Sequence, residues 1–329
     1  MEPFRRYLPT LEAHLQHLVR HGDSPLYGML AYHMGWLDES FRPLPTPHTG
    51  KRLRPLLLLL TCEAAGGRWQ EALPAAAAVE LLHNFSLIHD DIEDGDPLRR
   101  GRPTLWRVWG EAQAINAGDA LFALAYEALL QLPAAILPTA ARAFTRAAQA
   151  LTEGQYLDIA FEQAAEVDEA TYLQMVDGKT AALLALSAWL GGLCAGLSGA
   201  RLEALKRFGR QVGMSFQMQD DLLGLWGDPQ RTGKPVGNDL RRRKKTLPLI
   251  HGLQRSEALR RLLQRPHLDE ETIRQAQALL EEAGSRAYVE ARAAAYLQEG
   301  LAALDEAELH GEAREALHAL VQHLLGRDR

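Results

Sequence analysis

In segment after segment of this chain, apolar residues return at three- and four-residue intervals, a period that a helix satisfies and a strand does not. Leu8 to Val19, Leu26 to Leu37, Arg54 to Ala65, Ala72 to Ile92, Ala112 to Leu130 and Ala141 to Phe161 all carry it. These segments are rich in Ala, Leu, Glu and Gln, which lose little freedom in a helix. Strand patterns are scarce. Asp168 and Asp269 stand where N-caps belong, just ahead of EATYLQMV and EETIRQAQALL. Pro and Gly mark the breaks, at Pro43 to Gly50, Asp96 to Pro103 and Trp226 to Gly237. Several segments are apolar over most of their circumference. The expected fold is therefore an all-α, single-domain helical bundle over residues 1–329, with some members wholly interior.

Composition narrows the class further. A chain of 329 residues, 47% hydrophobic and 24% charged, buries a large core. A net charge of −6 and a pI near 6.1 argue against a nucleic-acid partner. The two cysteines, Cys62 and Cys194, stand far apart with no CxxC, so neither a disulfide framework nor a zinc site is expected, and a reducing, cytoplasmic setting fits. Ala181 to Ala200 runs twenty residues without a charge, long enough by count to cross a bilayer. Six of those residues are Gly or Ser, and no second span accompanies it, so the reading is a buried core helix and no membrane span. The amino terminus carries charges where a signal peptide needs an apolar run.

The chemistry concentrates between Leu81 and Trp106. Leu81, Leu82, Phe85, Ile88 and Ile92 keep helical spacing, so Asp90 and Asp94, four apart, project from one face of one helix, with Asp91 beside them. Carboxylates crowded in this way repel one another, and a divalent cation removes the conflict. Oxygen-only ligands suit Mg2+, which keeps several waters and is completed by substrate phosphates rather than by a full protein cage. Arg99 and Arg100 follow closely, and guanidinium forks match phosphate oxygens. A DDxxD sequence alone is more often a solvated helix end than a metal site. What shifts the balance is a second acidic pair, Asp220 and Asp221, closing another long helix in FQMQDD. Two such helix ends facing each other would hold metal ions between them, with a polyphosphate bridging from above. Lys234 and the run Arg241 to Lys245 come next, and Gly50 to Pro55 places more cations at a helix start, whose backbone N–H groups attract anions. His83 and His89, six apart, do not share a helix face, so a zinc pair is not expected.

These motifs, in this order, resemble those of the trans-isoprenyl diphosphate synthases of the polyprenyl synthetase family, from about Gly50 to Pro248: GKRLRP, DDIED followed by RR, GQYLD, KT, FQMQDD and GKPVGNDLRRRKKTLP. The resemblance implies a bundle around a central apolar cavity and a head-to-tail condensation of isopentenyl diphosphate with an allylic diphosphate (dimethylallyl, geranyl or farnesyl). It implies Mg2+, three ions with substrate bound, held by Asp90, Asp94 and Asp220. Arg99, Lys179, Lys234 and Lys244 would contact the allylic diphosphate. Lys51, Arg54, His83 and Arg100 would hold the diphosphate of isopentenyl diphosphate. Gln217 and the Thr180 carbonyl would face the reacting carbon, with Asp91 and Asp221 completing the acidic motifs. A homodimer is the family habit.

One departure stands out. The family's second motif usually ends in a third aspartate, and here Gly224 takes that place, which weakens metal contacts at that end while leaving activity expected. Product length is read from Phe85, five residues before Asp90 and about 7.5 Å down the helix axis. In the family an aromatic there, beside a small residue such as Ser86, resembles enzymes that stop at C20, geranylgeranyl diphosphate, with C15, farnesyl diphosphate, the close rival. Phe122 and Tyr126 are candidates to help close the same floor. A class I terpene cyclase would share DDxxD but carry a different second metal motif and no need for GKRLRP. A non-catalytic partner subunit would generally lack the first aspartate motif.

Overall fold

The computed structural model describes residues 6–20, 24–227, 237–265 and 267–325. Helices dominate: α1 (Leu8–Val19), α2 (Pro25–His33), α3 (Leu53–Ala64) and α4 (Leu73–Glu93), then a two-stranded antiparallel hairpin of β1 (Leu98–Arg99) and β2 (Arg102–Pro103). There follow α5 (Leu105–Trp109), α6 (Glu111–Leu129), α7 (Leu137–Gln163), α8 (Glu169–Val176), a π turn over Asp177–Ala181, α9 (Ala182–Cys194) and α10 (Gly199–Trp226). The last are α11 (Asn238–Arg241), α12 (Leu247–Arg255), α13 (Glu257–Leu263), α14 (Glu270–Glu282), α15 (Ser285–Glu306) and α16 (Glu312–Leu325). The all-α expectation holds. No helix among the described residues is long and apolar enough to cross a membrane.

The chain forms two compact units, one of Met1–Ala148, Leu186–Glu203 and Glu308–Leu320, the other of Gln149–Ala185, Ala204–Ala307 and Val321–Arg329. In the first, α4 packs chiefly against α6 and next against α3. Ala75, Ala76, Ala77 and Ala78 are fully buried, so α4 is interior on every side, as its nearly uniform apolar sequence demands. Leu56 to Leu60 of α3 are no more than 2% exposed. Among the described residues, the second unit holds two apolar clusters. One gathers Phe161, Tyr172, Met175, Met214, Met218 and Leu222 beneath Leu247 and Val289; the other joins Leu225, Leu240, Leu249, Ile273 and Leu280.

Several boundaries differ from expectation for local reasons. The second helix stops at His33 rather than Leu37, because Gly35 takes φ +85° and a Cβ there would lie 2.3 Å from the His48 carbonyl oxygen. Helix α7 begins at Leu137, before Ala141, since Pro138 is tolerated in a first turn. The uncharged run Ala181 to Ala200 is not one helix: α9 ends at Cys194, Gly196 and Gly199 take positive φ, and α10 starts. Asp168 and Asp269 cap α8 and α14 as read, accepting from the backbone N–H of Thr171 and Thr272.

Candidate active site

In the first unit, α4 carries His83, Phe85, Ser86, Asp90, Asp91 and Asp94, the last at its C-cap. Its end is a complete Schellman motif: Gly95 sits at φ +63°, its N–H reaches the Ile92 carbonyl, and the Asp96 N–H reaches the Asp91 carbonyl. The helix therefore delivers Asp90, Asp91, Glu93 and Asp94 to its own C-terminus, where the macrodipole already leaves partial negative charge. Nothing in helix stability recommends acids there; a bound cation does.

The three aspartates divide by direction. Asp91 is 2% exposed and accepts at 2.7 Å from Arg99 Nε, while its second carboxylate oxygen is buried without a hydrogen bond. Burial outweighs Arg99 and pushes its carboxyl up to about 7. Asp90 and Asp94 are half-buried, one turn apart. Arg99 is aimed by the hairpin, whose turn places Arg100 at φ 52° and Gly101 at φ 74°, the pattern of a type I′ turn. The hairpin is fastened by Arg102, which donates to the Tyr32 and Leu37 carbonyls at 3.0 and 2.6 Å, and by Trp106 Nε1, which donates to the Asp96 carbonyl at 2.9 Å.

Arg100 in turn lies over Gly50, where a Cβ would meet its guanidinium carbon at 2.9 Å, so the bare glycine brings Arg100 to the Lys51 loop. Lys51 is exposed. Arg54 Nη1 lies 3.0 Å from His83 Nε2. A guanidinium has no lone pair to offer, so Nε2 accepts and the imidazole proton sits on Nδ1. Burial, with Arg54, Arg100 and Arg99 around it, holds His83 well below its usual titration range, and it stays neutral. Between them Arg52 points inward, at φ 49°, donating at 2.7 Å to both Glu12 and Glu80. This triad, of which Arg52 and Glu80 are buried, is invisible in the GKRLRP string.

Phe85 opens a ladder of rings: Phe122 at 5.0 Å between centroids, then Tyr126 at 5.3 Å and Phe144 at 5.2 Å, with His89 on its other side at 4.8 Å. Ser86 turns its hydroxyl back to the His83 carbonyl at 2.8 Å, leaving only a small side chain.

The second unit is organised by close backbone approach. A Cβ on Gly154 of α7 would fall 2.2 Å from Lys179 N, and one on Gly178 would fall 2.5 Å from the Ala150 carbonyl oxygen. Only glycines allow α7 to press against the π turn in this way. The turn shifts the helical register by one residue, a device frequent at functional sites, and presents Lys179 to Asp158 Oδ2 at 2.6 Å. Lys244 Nζ lies 3.9 Å from the same oxygen. Burial pushes Asp158 up, but Lys244 and Lys179 outweigh it and hold the carboxyl below its ordinary range.

Along α10, Gly209 and Gly213 lie against Leu184 and Ala181, and the same four-residue stripe continues into Gln217 and Asp221. Thr180 Oγ1 donates to Gln217 Oε1 at 2.8 Å, and Gln217 Nε2 donates to Asp221 Oδ1 at 3.1 Å. Asp221, 3% exposed, also accepts from Tyr172 Oη at 2.6 Å and from Leu247 N at 2.9 Å. Burial pushes its carboxyl up to about 7 despite these donors. Asp220, its neighbour, is exposed. The two motifs thus share one logic: one fully buried, hydrogen-bonded acid beside one or two that are half-buried or exposed. Lys234 lies outside the described residues. Tyr172, which donates to Asp221, carried no signal in the sequence; Asp158 was legible in GQYLD, but its partners were not.

Among the described residues no three His, Cys, Asp or Glu side chains form a ready-made metal cage. Magnesium asks for less, one or two carboxylates plus substrate phosphate, and outward carboxylates at a helix C-terminus fit it.

The family model for polyprenyl synthetases matches residues 35–281. The chain belongs to the polyprenyl synthetase family. It is 47% identical over 252 residues to a (2E,6E)-farnesyl diphosphate synthase of Mycobacterium tuberculosis, covering 74% of this chain and 70% of that one. It is 44% identical over 289 residues to a geranylgeranyl diphosphate synthase of the same organism, covering 86% and 82%. A solved polyprenyl synthetase from Streptomyces coelicolor A3(2) superimposes with a TM-score of 0.91 at 38% identity, over 98% of each chain. Membership of this family agrees with the resemblance read from the motifs.

Proposed function

We propose that this family member is a Mg2+-dependent, short-chain trans-isoprenyl diphosphate synthase that condenses isopentenyl diphosphate with an allylic diphosphate to give geranylgeranyl diphosphate. Farnesyl diphosphate is the alternative product, since its two Mycobacterium tuberculosis relatives are named for C15 and C20 respectively. The observation that carries the reading is the set of opposed charges around α4: Asp90 and Asp94 at its C-terminal end, with the Arg54–His83 pair and the Gly50–Arg100 contact in the same unit.

Asp90, Asp94 and Asp220 are the assigned Mg2+ ligands, three ions being bound with substrate. When bound, Mg2+ supplies the electrostatic pull on the departing diphosphate. Arg99, Lys179 and Lys244 are assigned to the allylic diphosphate, and Lys234 joins them from the motif alone. Lys51, Arg54, His83 and Arg100 are assigned to the diphosphate of isopentenyl diphosphate, where neutral His83 contributes a hydrogen bond and Arg54 the charge. The allylic C–O bond breaks with its electron pair leaving on the diphosphate. Gln217 and the Thr180 carbonyl stabilise the allylic cation by their dipoles, the isopentenyl double bond supplies the pair for the new C–C bond, and the proton then lost passes to the released diphosphate. Asp91 and Asp221 hold Arg99 and Gln217 in place. Phe85, with Ser86 beside it, stops the growing tail. The enzyme is assigned to the cytoplasm and to a homodimeric state, the latter checked by size-exclusion chromatography.

The test is incubation of the purified chain with isopentenyl diphosphate and, in turn, dimethylallyl, geranyl and farnesyl diphosphate, with Mg2+ or with EDTA, followed by chain-length analysis. Condensation only with Mg2+ and a C20 product is expected; no condensation with any allylic partner refutes the reading.

A further inference from the structure

His89 follows Phe85 by four residues, so the two share one face of α4. That face meets α6, the principal neighbour of α4. Where His89 arrives, α6 offers a bare position: a Cβ built on Gly118 would lie 2.2 Å from His89 Nε2 and 2.3 Å from its Cδ2. The imidazole therefore stands in the space that any side chain at 118 would fill. Its Nε2 is 3.4 Å from the Ile115 carbonyl oxygen and 3.7 Å from Asp119 Oδ1, both longer than a good hydrogen bond. Shape, more than bonding, seats the ring.

Seated there, the imidazole meets Phe85 with centroids 4.8 Å apart and planes at 61°, an edge-on contact. Phe122 of α6 meets the same phenyl ring at 5.0 Å and 51°. Two rings thus bear on Phe85, one from its own helix and one from the next. Phe85 is only half-buried, and a ring with open space beside it can change rotamer unless its neighbours hold it.

We propose that His89 is a positioning residue for product length: resting on Gly118, its ring fixes the rotamer of Phe85 and so the depth at which the growing prenyl tail is stopped. The inference rests on the reading of Phe85 as the floor and goes beyond it, because product length then depends also on an imidazole and on a glycine of another helix. A shorter residue at 89 leaves Phe85 without one support. A larger residue at 118 pushes the imidazole away and has the same consequence.

The test is chain-length analysis of labelled products from the full chain, reading the ratio of product one isoprene unit longer to the main product. His89→Ala is expected to raise that ratio about 2- to 10-fold, the population ratio that one edge-on ring contact commands. Gly118→Ala is expected to fold, since its methyl meets only the far end of a side chain that can swing aside, and to shift the ratio in the same direction. The two substitutions together should do no more than His89→Ala alone, because the methyl then has nothing to displace. In a chain already carrying Phe85→Ala, His89→Ala should add nothing further. If Phe85→Ala lengthens the product while His89→Ala and Gly118→Ala lower turnover at an unaltered ratio, or leave both unaltered, His89 has no such role and the floor reading stands. Additive shifts from His89→Ala and Gly118→Ala also count against the proposal. If Phe85→Ala itself leaves the ratio unaltered, the floor reading fails and this inference with it.

Discussion

Lys179 donates from Nζ to Asp158 Oδ2 at 2.6 Å, and Lys244 Nζ stands 3.9 Å from the same oxygen, so one carboxylate orients two lysines assigned to the allylic diphosphate. Asp158→Asn keeps the shape and removes the charge. Both ammonium groups then lose their anchor, and kcat/KM for the allylic substrate is expected to fall about 10- to 100-fold, with isopentenyl diphosphate KM nearly unchanged. Steady-state kinetics with each substrate varied separately would show it; equal effects on both KM values would sink the assignment.

Phe85 is the first rung of a ladder that passes through Phe122 and Tyr126 to Phe144. Phe85→Ala is expected to shift products beyond C20, and Phe85→Ala with Phe122→Ala to shift them further. Radiolabelled chain-length analysis decides, and an unchanged distribution removes Phe85 from the floor.

Arg52 is 3% exposed and bonded to Glu12 and Glu80, the latter also 3% exposed. Arg52→Met leaves acids without their counter-charge, a loss of about 3–5 kcal/mol. Urea denaturation should show a lower midpoint at similar slope. A midpoint within error of the unaltered chain would mean that the triad contributes no more than a surface pair.

Asp221 titrates at about 7 when folded because of burial, against about 4 in an unfolded chain. Between those values the folded state holds a proton that the unfolded state has released, so this group's contribution falls as pH rises through the window and levels off above about 7. Asp221→Asn does not titrate. The stability of the unaltered chain minus that of Asp221→Asn, measured by chemical denaturation without divalent ions at several pH values across that window, should decrease with pH. A difference that grows with pH contradicts the assignment.

Cys62 and Cys194 have thiols pushed up to about 12 by burial. Both are expected to resist a thiol reagent at pH 8 in the folded chain and to react promptly in urea. Rapid modification of either without unfolding would show that the thiol is not sheltered.

Much of this was legible in the order of residues. The first helix runs over Leu8–Val19 as its apolar period requires, and the caps at Asp168 and Asp269 form because a short acceptor precedes each run. What escaped reading depends on partners far along the chain. Arg52 meets Glu12 and Glu80 at separations of 40 and 28 residues, so its inward direction has no local signal, whereas Lys51 and Arg54 looked no different in the string. The hairpin at Leu98–Pro103 lacks the usual Asn-Gly, and its turn is made by Arg100 in a left-handed conformation. Asp91 and Asp221 look like their neighbours in sequence, and only packing against Arg99 and Tyr172 turns them inward.

The single extra residue accommodated in the turn at Asp177–Ala181 fixes the phase of everything on either side of it. Each helical residue advances about 100° around the axis, so trimming one residue to regularise that stretch would swing Tyr172 and Lys179 about a quarter-turn relative to Leu184. Attempts to make this protein sturdier by straightening its helices would have to leave this irregularity alone, because its aim is stored in the miscount.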